Sequence, residues 1–180
     1  GPTARHEEFE AYKATRKPMP DDLIPQVPLI KEVIRAFSIC VLEKSGTEAD
    51  DIIGTLAVAA RKAGMRTAVV SGDKDLMQLV DETVAMVDTM KDKIYDTAAV
   101  KEKFGVGPDK VVEILGLMGD ASDNIPGVPG IGPKTAQRLI EEYGTVEAVI
   151  ADSENLRNIK LRESFRRYAD QARLSRRLAL

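Results

Sequence analysis

Apolar residues in the first 65 positions follow a helical spacing in two stretches. Between residues 23 and 37 they recur every three or four positions, and because Pro25 and Pro28 interrupt the first half, we predict a regular helix only from about residue 29 onward. A second helix is predicted over residues 47–63, where a glycine ends it.

Short apolar and β-branched runs around these helices predict strands. The predicted strands are Ser38–Leu42, Thr67–Ser71, Val84–Val87 and a shorter one at Lys93–Tyr95. A short helix is expected soon after the second strand. Because strands alternate with helices in this half, we predict an α/β fold with a parallel sheet and right-handed crossovers.

The second half of the chain has the pattern of a helical lobe. A loop rich in Gly and Pro occupies residues 119–133. We therefore divide the chain into an α/β core over residues 1–118 and an appended helical lobe over residues 119–180. Helices are predicted at 97–104, 109–118, 134–143, 145–151 and 160–179.

The composition is that of an ordinary globular protein, with 43% apolar and 31% charged residues in a chain of 180. No stretch approaches the roughly 18 consecutive apolar residues that cross a membrane, so we expect no membrane partner. Cys40 is the only cysteine, which excludes a disulfide within the chain and fits a reducing cytoplasm. Its apolar neighbours predict a small core residue.

The formal net charge of −3 is unevenly distributed along the chain. Residues 43–123 carry a net charge of −6, whereas residues 157–180 carry a net charge of +6. Such a chain can hold a metal ion in one region and phosphate in another. The alternative for the basic tail is a solvated amphipathic helix.

Seven acidic residues lie in three short segments, each at a predicted helix start or strand end. They are Glu48, Asp50 and Asp51, then Asp73 and Asp75, and finally Asp120 and Asp123. Each segment alone has an ordinary explanation. Helix capping would account for the first, a turn and cap for the second, and loop-forming composition for the third.

Together the three segments indicate a metal site. Asp73 and Asp75 follow an apolar strand, and ligands collect beyond the carboxyl ends of parallel strands. Two acids so close together repel each other unless a cation lies between them. Oxygen ligands suit Mg²⁺ or Mn²⁺, and two such ions about 4 Å apart can promote hydrolysis of a phosphodiester. With one His and one Cys in the chain, zinc is disfavoured.

Residues 125–136, Ile-Pro-Gly-Val-Pro-Gly-Ile-Gly-Pro-Lys-Thr-Ala, form the most specific segment. A tight turn at Gly130 and Gly132 lets backbone N–H groups approach a phosphate, with the Lys134 ammonium and the Thr135 hydroxyl at hand. None of these groups reads a base, so binding would be sequence-independent and salt-dependent. A proline between the last glycine and the lysine excludes a Walker P-loop. The alternative is an inert turn between two helices.

Several segments resemble motifs of the 5′-nuclease family, in particular the nuclease domains that accompany bacterial DNA polymerase I. Residues 130–136 resemble the helix-hairpin-helix of that family, which would extend over about residues 123–143, and the segment 119–128 resembles its last acidic motif. Residues 48–52 and 71–76 resemble its two middle acidic motifs, in the same order and at similar separations.

The N-terminal residues 1–20 resemble part of the helical arch of this family, through Arg5-His-Glu and Tyr12-Lys-Ala-Thr-Arg. The resemblance implies a PIN-like, Rossmann-like core and a divalent-metal-dependent 5′-3′ exonuclease and flap endonuclease. Lys13 and Arg16 would be catalytic and would polarise the scissile phosphate. Tyr12 would stack on a base, and Arg5 would contact DNA.

The resemblance also implies how cations divide among the ligands. Gly127 and Ile131 would hold a monovalent cation such as K⁺ through their main-chain carbonyls. Four acids would serve mainly a tighter divalent site and three a neighbouring one: Glu48, Asp50, Asp51 and Asp73 for the first, and Asp75, Asp120 and Asp123 for the second.

Members of the family carry two further aspartates and a first strand that would precede Gly1. We therefore expect the chain made alone to cut flap DNA more slowly than a version extended upstream. The alternative is a non-catalytic duplex-binding module. A topoisomerase-primase-type enzyme is disfavoured because it would lack the hairpin. The expected partners are DNA and an attached polymerase domain, and we expect a monomer in the bacterial cytoplasm, associated with the nucleoid.

Overall fold

The computed structural model describes residues 3–180, and its first half combines three helices with three strands. The first two residues of the predicted arch lie outside the described residues. The helices are α1 (Ala4–Glu8), α2 (Gln26–Ala36) and α3 (Ala49–Lys62), and the strands are β1 (Thr67–Val70), β2 (Val84–Asp88) and β3 (Lys93–Tyr95), with a 3₁₀ helix at Lys74–Leu79.

The three strands form one sheet in the order β1-β2-β3, which confirms the α/β class. β1 and β2 are parallel, with Val69 opposite Met86. β3 differs from the predicted parallel arrangement because it runs antiparallel to β2, with Tyr95 opposite Met86. Only the turn 89–92 joins β2 to β3, and a parallel crossover needs a dozen residues or more.

The prediction of a strand at Ser38–Leu42 is wrong. Within residues 3–180 this segment belongs to no strand, and most of it is exposed. Cys40, predicted as a core residue, is exposed as well. Apolar composition favours an extended backbone, but a strand forms only where a neighbouring strand completes its hydrogen bonds.

α2 begins earlier than predicted. Its first residue is Gln26, after Pro25 at the N-cap, and Pro28 lies in the first turn. A proline at this place removes no helical hydrogen bond, because first-turn N–H groups have no acceptor within the helix. None of the residues of α2 is buried, and the apolar side chains of Leu29 and Val33 remain exposed.

The second half folds as the predicted helices, with ends shifted by at most two residues. No helix of the described chain is both long and apolar enough to span a membrane. The helices are α4 (Thr97–Phe104), α5 (Val111–Met118), α6 (Pro133–Tyr143), α7 (Val146–Ala151) and α8 (Ile159–Leu178), with 3₁₀ turns at Pro108–Lys110 and Ser153–Asn155.

α5 joins the two halves because each of its faces belongs to a different apolar core. All residues from 111 to 117 are buried. Val111 and Leu115 pack in the core of the sheet, whereas Ile114 and Leu117 pack in the core of the helical lobe. Residues three and four apart lie on one helix face, so this spacing assigns one stripe of α5 to each core.

Directly after α5, the backbones of two glycines lie in close contact. Gly119 and Gly127 both have positive φ angles, of 73° and 60°. A Cβ on Gly127 would lie 2.3 Å from the Gly119 nitrogen, and a Cβ on Gly119 would lie 2.4 Å from the Ile125 carbonyl oxygen. Only glycine satisfies both the backbone conformation and this separation.

We predict that Gly119→Ala lowers the free energy of unfolding by about 2–5 kcal/mol, because it combines a left-handed backbone with an overlap that neighbouring backbone cannot relieve. Chemical denaturation measures the effect. Gly130→Ala is the matched control: its φ is also positive, at 86°, but a Cβ there meets nothing within 4 Å. It should cost only about 1–2 kcal/mol. Equal losses for the two variants would contradict the steric argument.

Candidate functional site

Three backbone segments present the seven acidic residues. Glu48 is the N-cap of α3, which places Asp50 and Asp51 in its first turn. Asp73 follows β1 and caps the 3₁₀ helix by accepting a hydrogen bond from the Asp75 N–H at 3.0 Å. The third segment follows α5 and is closed by two backbone hydrogen bonds. The Asp120 N–H donates to the Ile125 carbonyl oxygen at 2.9 Å, and the Ile125 N–H donates to the Asp120 carbonyl oxygen at 2.8 Å.

Lys13 joins the first acidic segment to the third. Its Nζ lies 2.5 Å from Glu48 Oε2 and 3.4 Å from Asp123 Oδ2. The Tyr12 hydroxyl is 3.2 and 3.3 Å from the same two oxygens. Burial raises the pKa of Tyr12 to about 12, so the phenol stays protonated and can donate. Burial alone would raise the pKa of Glu48, but the hydrogen bond from Lys13 lowers it.

Lys74 joins the second acidic segment to the third. Its Nζ is 2.5 Å from Asp120 Oδ2 and 3.5 Å from Asp75 Oδ1. Burial would raise the pKa of Asp120, but hydrogen bonds from Lys74 and Ser122 lower it. On the exposed side, Arg16 forms an ion pair with Asp123 at 2.5 Å. All three acidic segments are therefore held together by basic side chains.

Asp50 has no basic partner of this kind. Burial raises the pKa of its carboxyl group, and the negative charge of Asp73 raises it further. Asp51 differs, because Arg5 donates to both of its oxygens at 2.8 and 3.0 Å and lowers its pKa. Arg5 also donates to the Leu178 carbonyl oxygen at 3.0 Å, so it connects α1, α3 and the end of α8.

Asp75 is the least satisfied acid of the cluster. Its Oδ1 is buried and has no hydrogen-bond partner among residues 3–180, although the Lys74 ammonium lies 3.5 Å away. Burial is the main cause that raises the pKa of Asp75 to about 6. The charges of Asp120 and Asp73 add to this shift, and Lys74 opposes it. An unpaired buried carboxylate oxygen of this kind is typical of a ligand that lacks its cation.

The donor set of the cluster fits a hard divalent cation. Glu48, Asp50, Asp51, Asp75 and Asp123 line a cavity of about 280 Å³, and all of them offer carboxylate oxygens. As they stand, no three His, Cys, Asp or Glu side chains between residues 3 and 180 are close enough together to hold a metal ion. Basic side chains lie between the acids, so a bound cation would replace them as the counter-charge.

The predicted phosphate-binding hairpin has an open front. A Cβ on Gly130 or Gly132 would meet nothing within 4 Å, and Lys134 is exposed at the first turn of α6. Thr135 is half-buried and its N–H bonds to the Gly132 carbonyl oxygen at 3.0 Å, as a first-turn group does. The glycines therefore leave room for a ligand to approach the backbone.

Gly127 and Ile131, whose main-chain carbonyls are predicted to hold a monovalent cation, differ in their surroundings. The Gly127 carbonyl oxygen accepts a hydrogen bond of 2.7 Å from Gln171 Nε2. Ile131 is buried, and its N–H donates to the Val128 carbonyl oxygen at 3.0 Å.

Two side chains near the acids were missed by the sequence reasoning. Lys74 lies between Asp73 and Asp75 in the chain, and that position was a usable signal. Asn124 has a φ of 56° and donates from Nδ2 to the Ala11 carbonyl oxygen at 2.6 Å. No spacing rule could have found this contact, which spans 113 positions.

Most arginines of the basic tail are used within the protein. Arg173 pairs with Glu147 at 3.0 Å, and Arg176 pairs with the buried Glu113 at 2.7 Å. Arg177 pairs with Glu8 of α1 at 2.5 Å. With Arg166, which pairs with Glu154, four of the eight basic residues in 157–180 are thus matched to acids elsewhere in the fold.

Family comparisons match the chain along its whole length. Residues 1–105 match the model of the 5′-3′ exonuclease N-terminal resolvase-like domain, and residues 106–180 match that of the 5′-3′ exonuclease C-terminal SAM fold. The chain is 47% identical to DNA polymerase I of Rhizobium leguminosarum over 97% of its own length and 17% of that protein's. It is 41% identical to a 5′-3′ exonuclease of Aquifex aeolicus, with 84% and 53% covered.

The chain thus spans about a fifth of the polymerases it resembles. Among solved structures, T5 5′-exonuclease with bound divalent zinc ions matches with a TM-score of 0.85 at 22% identity, covering 99% of this chain and 70% of that one. The catalytic core of Rad2 in complex with DNA matches with a TM-score of 0.57 at 16% identity, covering 95% and 56%. These likenesses confirm the fold. With both family models matched in sequence, the chain belongs to the 5′-3′ exonuclease family.

Proposed function

We propose that this chain carries a structure-specific, divalent-metal-dependent 5′-3′ exonuclease and flap endonuclease activity that hydrolyses DNA phosphodiesters at 5′ flaps and nicks. The observation that carries the proposal is the cavity lined by carboxylates from separate segments, among them Asp75 with its unpaired Oδ1. Lys13 pairs with two of these lining acids, Glu48 and Asp123. Support comes from the family itself and from two DNA-bound neighbours, a T5 flap endonuclease and Rad2.

The acids would divide between two neighbouring Mg²⁺ or Mn²⁺ sites. Bound divalent cations supply Lewis-acid polarisation of the scissile phosphate. Asp51 can contribute only after its pairing with Arg5 opens, because both of its oxygens are engaged. We assign Glu48, Asp50, Asp51 and Asp73 to the tighter site, and Asp75, Asp120 and Asp123 to the neighbouring one.

Basic side chains next to the acids would orient the phosphate. Lys13 and Arg16 pair with acids that a divalent cation would neutralise, so both are close enough to turn toward a phosphate in the same cavity. Tyr12 is buried, with its ring 4.7 Å from the Lys13 ammonium. Stacking on a base would require Tyr12 to leave this position. Arg5 would contact DNA only after its ion pair with Asp51 opens.

The hairpin would contact the backbone of the adjoining duplex through Gly130, Gly132, Lys134 and Thr135, without reading bases. Main-chain carbonyls of Gly127 and Ile131 would hold K⁺ there. The match to DNA polymerase I supports a covalently attached polymerase domain as a partner. We infer that the chain works as a monomer on DNA of the nucleoid, in the bacterial cytoplasm.

The direct test is cleavage of a labelled 5′-flap DNA by the 180-residue chain, in single-turnover conditions with and without Mg²⁺. We predict Mg²⁺-dependent cleavage that Lys13→Ala slows about 100-fold, because one positioned cationic donor at the phosphate is lost. Lys17→Ala, in the same segment but outside the acidic cavity, should cleave like the unchanged chain. Tight flap binding with no cleavage at any Mg²⁺ concentration would instead favour the alternative, a non-catalytic duplex-binding module.

Asp75 should make the metal-free protein sensitive to pH. Its folded pKa, about 6, lies above the ordinary value of 3.8, so the folded state binds more protons and loses stability as pH rises through 6. Between pH 5 and pH 8 this loss is about 1 kcal/mol. We predict that Asp75→Asn removes that part of the pH dependence, measured by chemical denaturation in EDTA.

The same variant reports on metal binding. Mg²⁺ at pH 8 should raise the melting temperature of the unchanged chain, and Asp75→Asn should reduce this increase. Asp109→Asn is the control, because the Asp109 side chain is 75% exposed. It should leave the increase intact. An unchanged pH profile together with a full Mg²⁺ response in Asp75→Asn would remove Asp75 from the site.

Lys134→Ala should weaken binding of duplex DNA almost equally for unrelated sequences, because the residue meets phosphate and no base. The slope of log affinity against log salt should fall by about one unit, as expected for one lost phosphate contact. Fluorescence anisotropy at several salt concentrations measures both. Lys62→Ala, at the end of α3, is the control with equal loss of charge. If the two variants behave alike, the hairpin is not on the DNA path.

A further inference from the structure

Side chains of α8 form hydrogen bonds with both backbone polar groups of Gly127, its N–H and its carbonyl oxygen. Ser175 Oγ accepts a hydrogen bond from the Gly127 N–H at 3.0 Å, and Gln171 Nε2 donates to the Gly127 carbonyl oxygen at 2.7 Å. Gln171 and Ser175 are four positions apart and therefore lie on one face of the helix. Ser175 is fully buried, so its hydroxyl is committed to this contact. A third contact joins Ser164 Oγ to the Pro129 carbonyl oxygen at 3.2 Å.

These contacts fix the rear of the hairpin and leave its front free. On the rear, Gly127 packs on Gly119, and the Val128 N–H donates to the Leu117 carbonyl oxygen at 2.7 Å. On the front, Gly130 and Gly132 have no neighbour where a Cβ would lie. A loop so rich in glycine is intrinsically variable in conformation, so the direction of its front depends on what holds its rear.

We propose that Gln171 and Ser175 are positioning residues for DNA binding. By holding the Gly127 N–H and carbonyl groups, α8 sets the orientation in which the hairpin presents its backbone N–H groups and Lys134 to a duplex phosphate. This inference rests on the proposed function in one respect, namely that the hairpin binds DNA. Neither side chain is assigned a contact with DNA. Their effect is transmitted through Gly127 and the two residues, Val128 and Pro129, that connect it to Gly130 at the front of the hairpin.

The test compares Gln171→Met, which keeps length and removes the donor, with Gln26→Met. Gln26 is the matched control because its Nε2 also donates to a backbone carbonyl at 2.7 Å, that of Asp22, but in the other half of the chain. We expect Gln171→Met to weaken duplex binding roughly fivefold, the size of one hydrogen bond, and Gln26→Met to leave affinity unchanged. Ser175→Ala should act like Gln171→Met. Affinities are measured well below each variant's melting temperature.

Two further readouts separate positioning from a merely structural role. The salt slope of Gln171→Met should fall by less than the one unit expected for Lys134→Ala, because Lys134 keeps its charge but makes a weaker phosphate contact. The loss caused by Lys134→Ala should become smaller in the Gln171→Met background, since a misdirected Lys134 contributes less. Additive losses, or an unchanged affinity in both α8 variants, would overturn the inference. Failure of the unchanged chain to bind duplex DNA would instead overturn the proposed function.

Discussion

Repulsion among partly buried carboxylates is the constraint on which the arrangement of this chain depends. The side chains of Glu48, Asp75, Asp120 and Asp123 are only 6–19% exposed. Like charges in such surroundings repel strongly, because little water screens them. The fold offsets this with ion pairs from four basic residues: Arg5, Lys13, Arg16 and Lys74. The compensation is incomplete at Asp75, whose raised pKa records the remaining cost.

The same ion pairs determine the path of the N-terminal segment. Tyr12 is the only buried apolar residue of 3–20, and Phe9 packs partly buried against the same core. Charge and hydrogen bonding therefore supply most of the contacts that hold this segment. Two contacts made by the backbone of this segment do not involve the carboxylates: the Lys13 N–H to the Asp123 carbonyl oxygen at 2.9 Å, and Asn124 Nδ2 to the Ala11 carbonyl oxygen. Lys13 and Asn124 both have a φ of 56°, a cost that these bonds offset. The backbone of the segment is therefore attached to the third acidic segment by bonds that would remain if its side chains left their carboxylate partners.

The local sequence pattern was enough to predict most helices and strands. It failed where the structure of a segment depends on contacts with residues far away in the sequence. Helix α4 was predicted to the residue, because apolar spacing and capping are properties of the segment itself. The strand expected at Ser38–Leu42 has the right composition but no neighbour to pair with in the described chain. In the site, the spacing of the acids indicated the three segments. The ion pair between Lys74 and Asp120 joins residues 46 positions apart, and no spacing pattern in the sequence predicts it.

Net charge misleads about where this chain presents positive potential. The tail carries +6, yet Arg173, Arg176 and Arg177 are matched to acids of α7, α5 and α1. Exposed pairs such as that of Arg173 are screened by water and contribute little stability, but they neutralise charge on the surface of α8. α8 in turn holds Gly127 through uncharged side chains. The basic tail therefore serves the hairpin as a support, and Lys134 lies exposed at the open front.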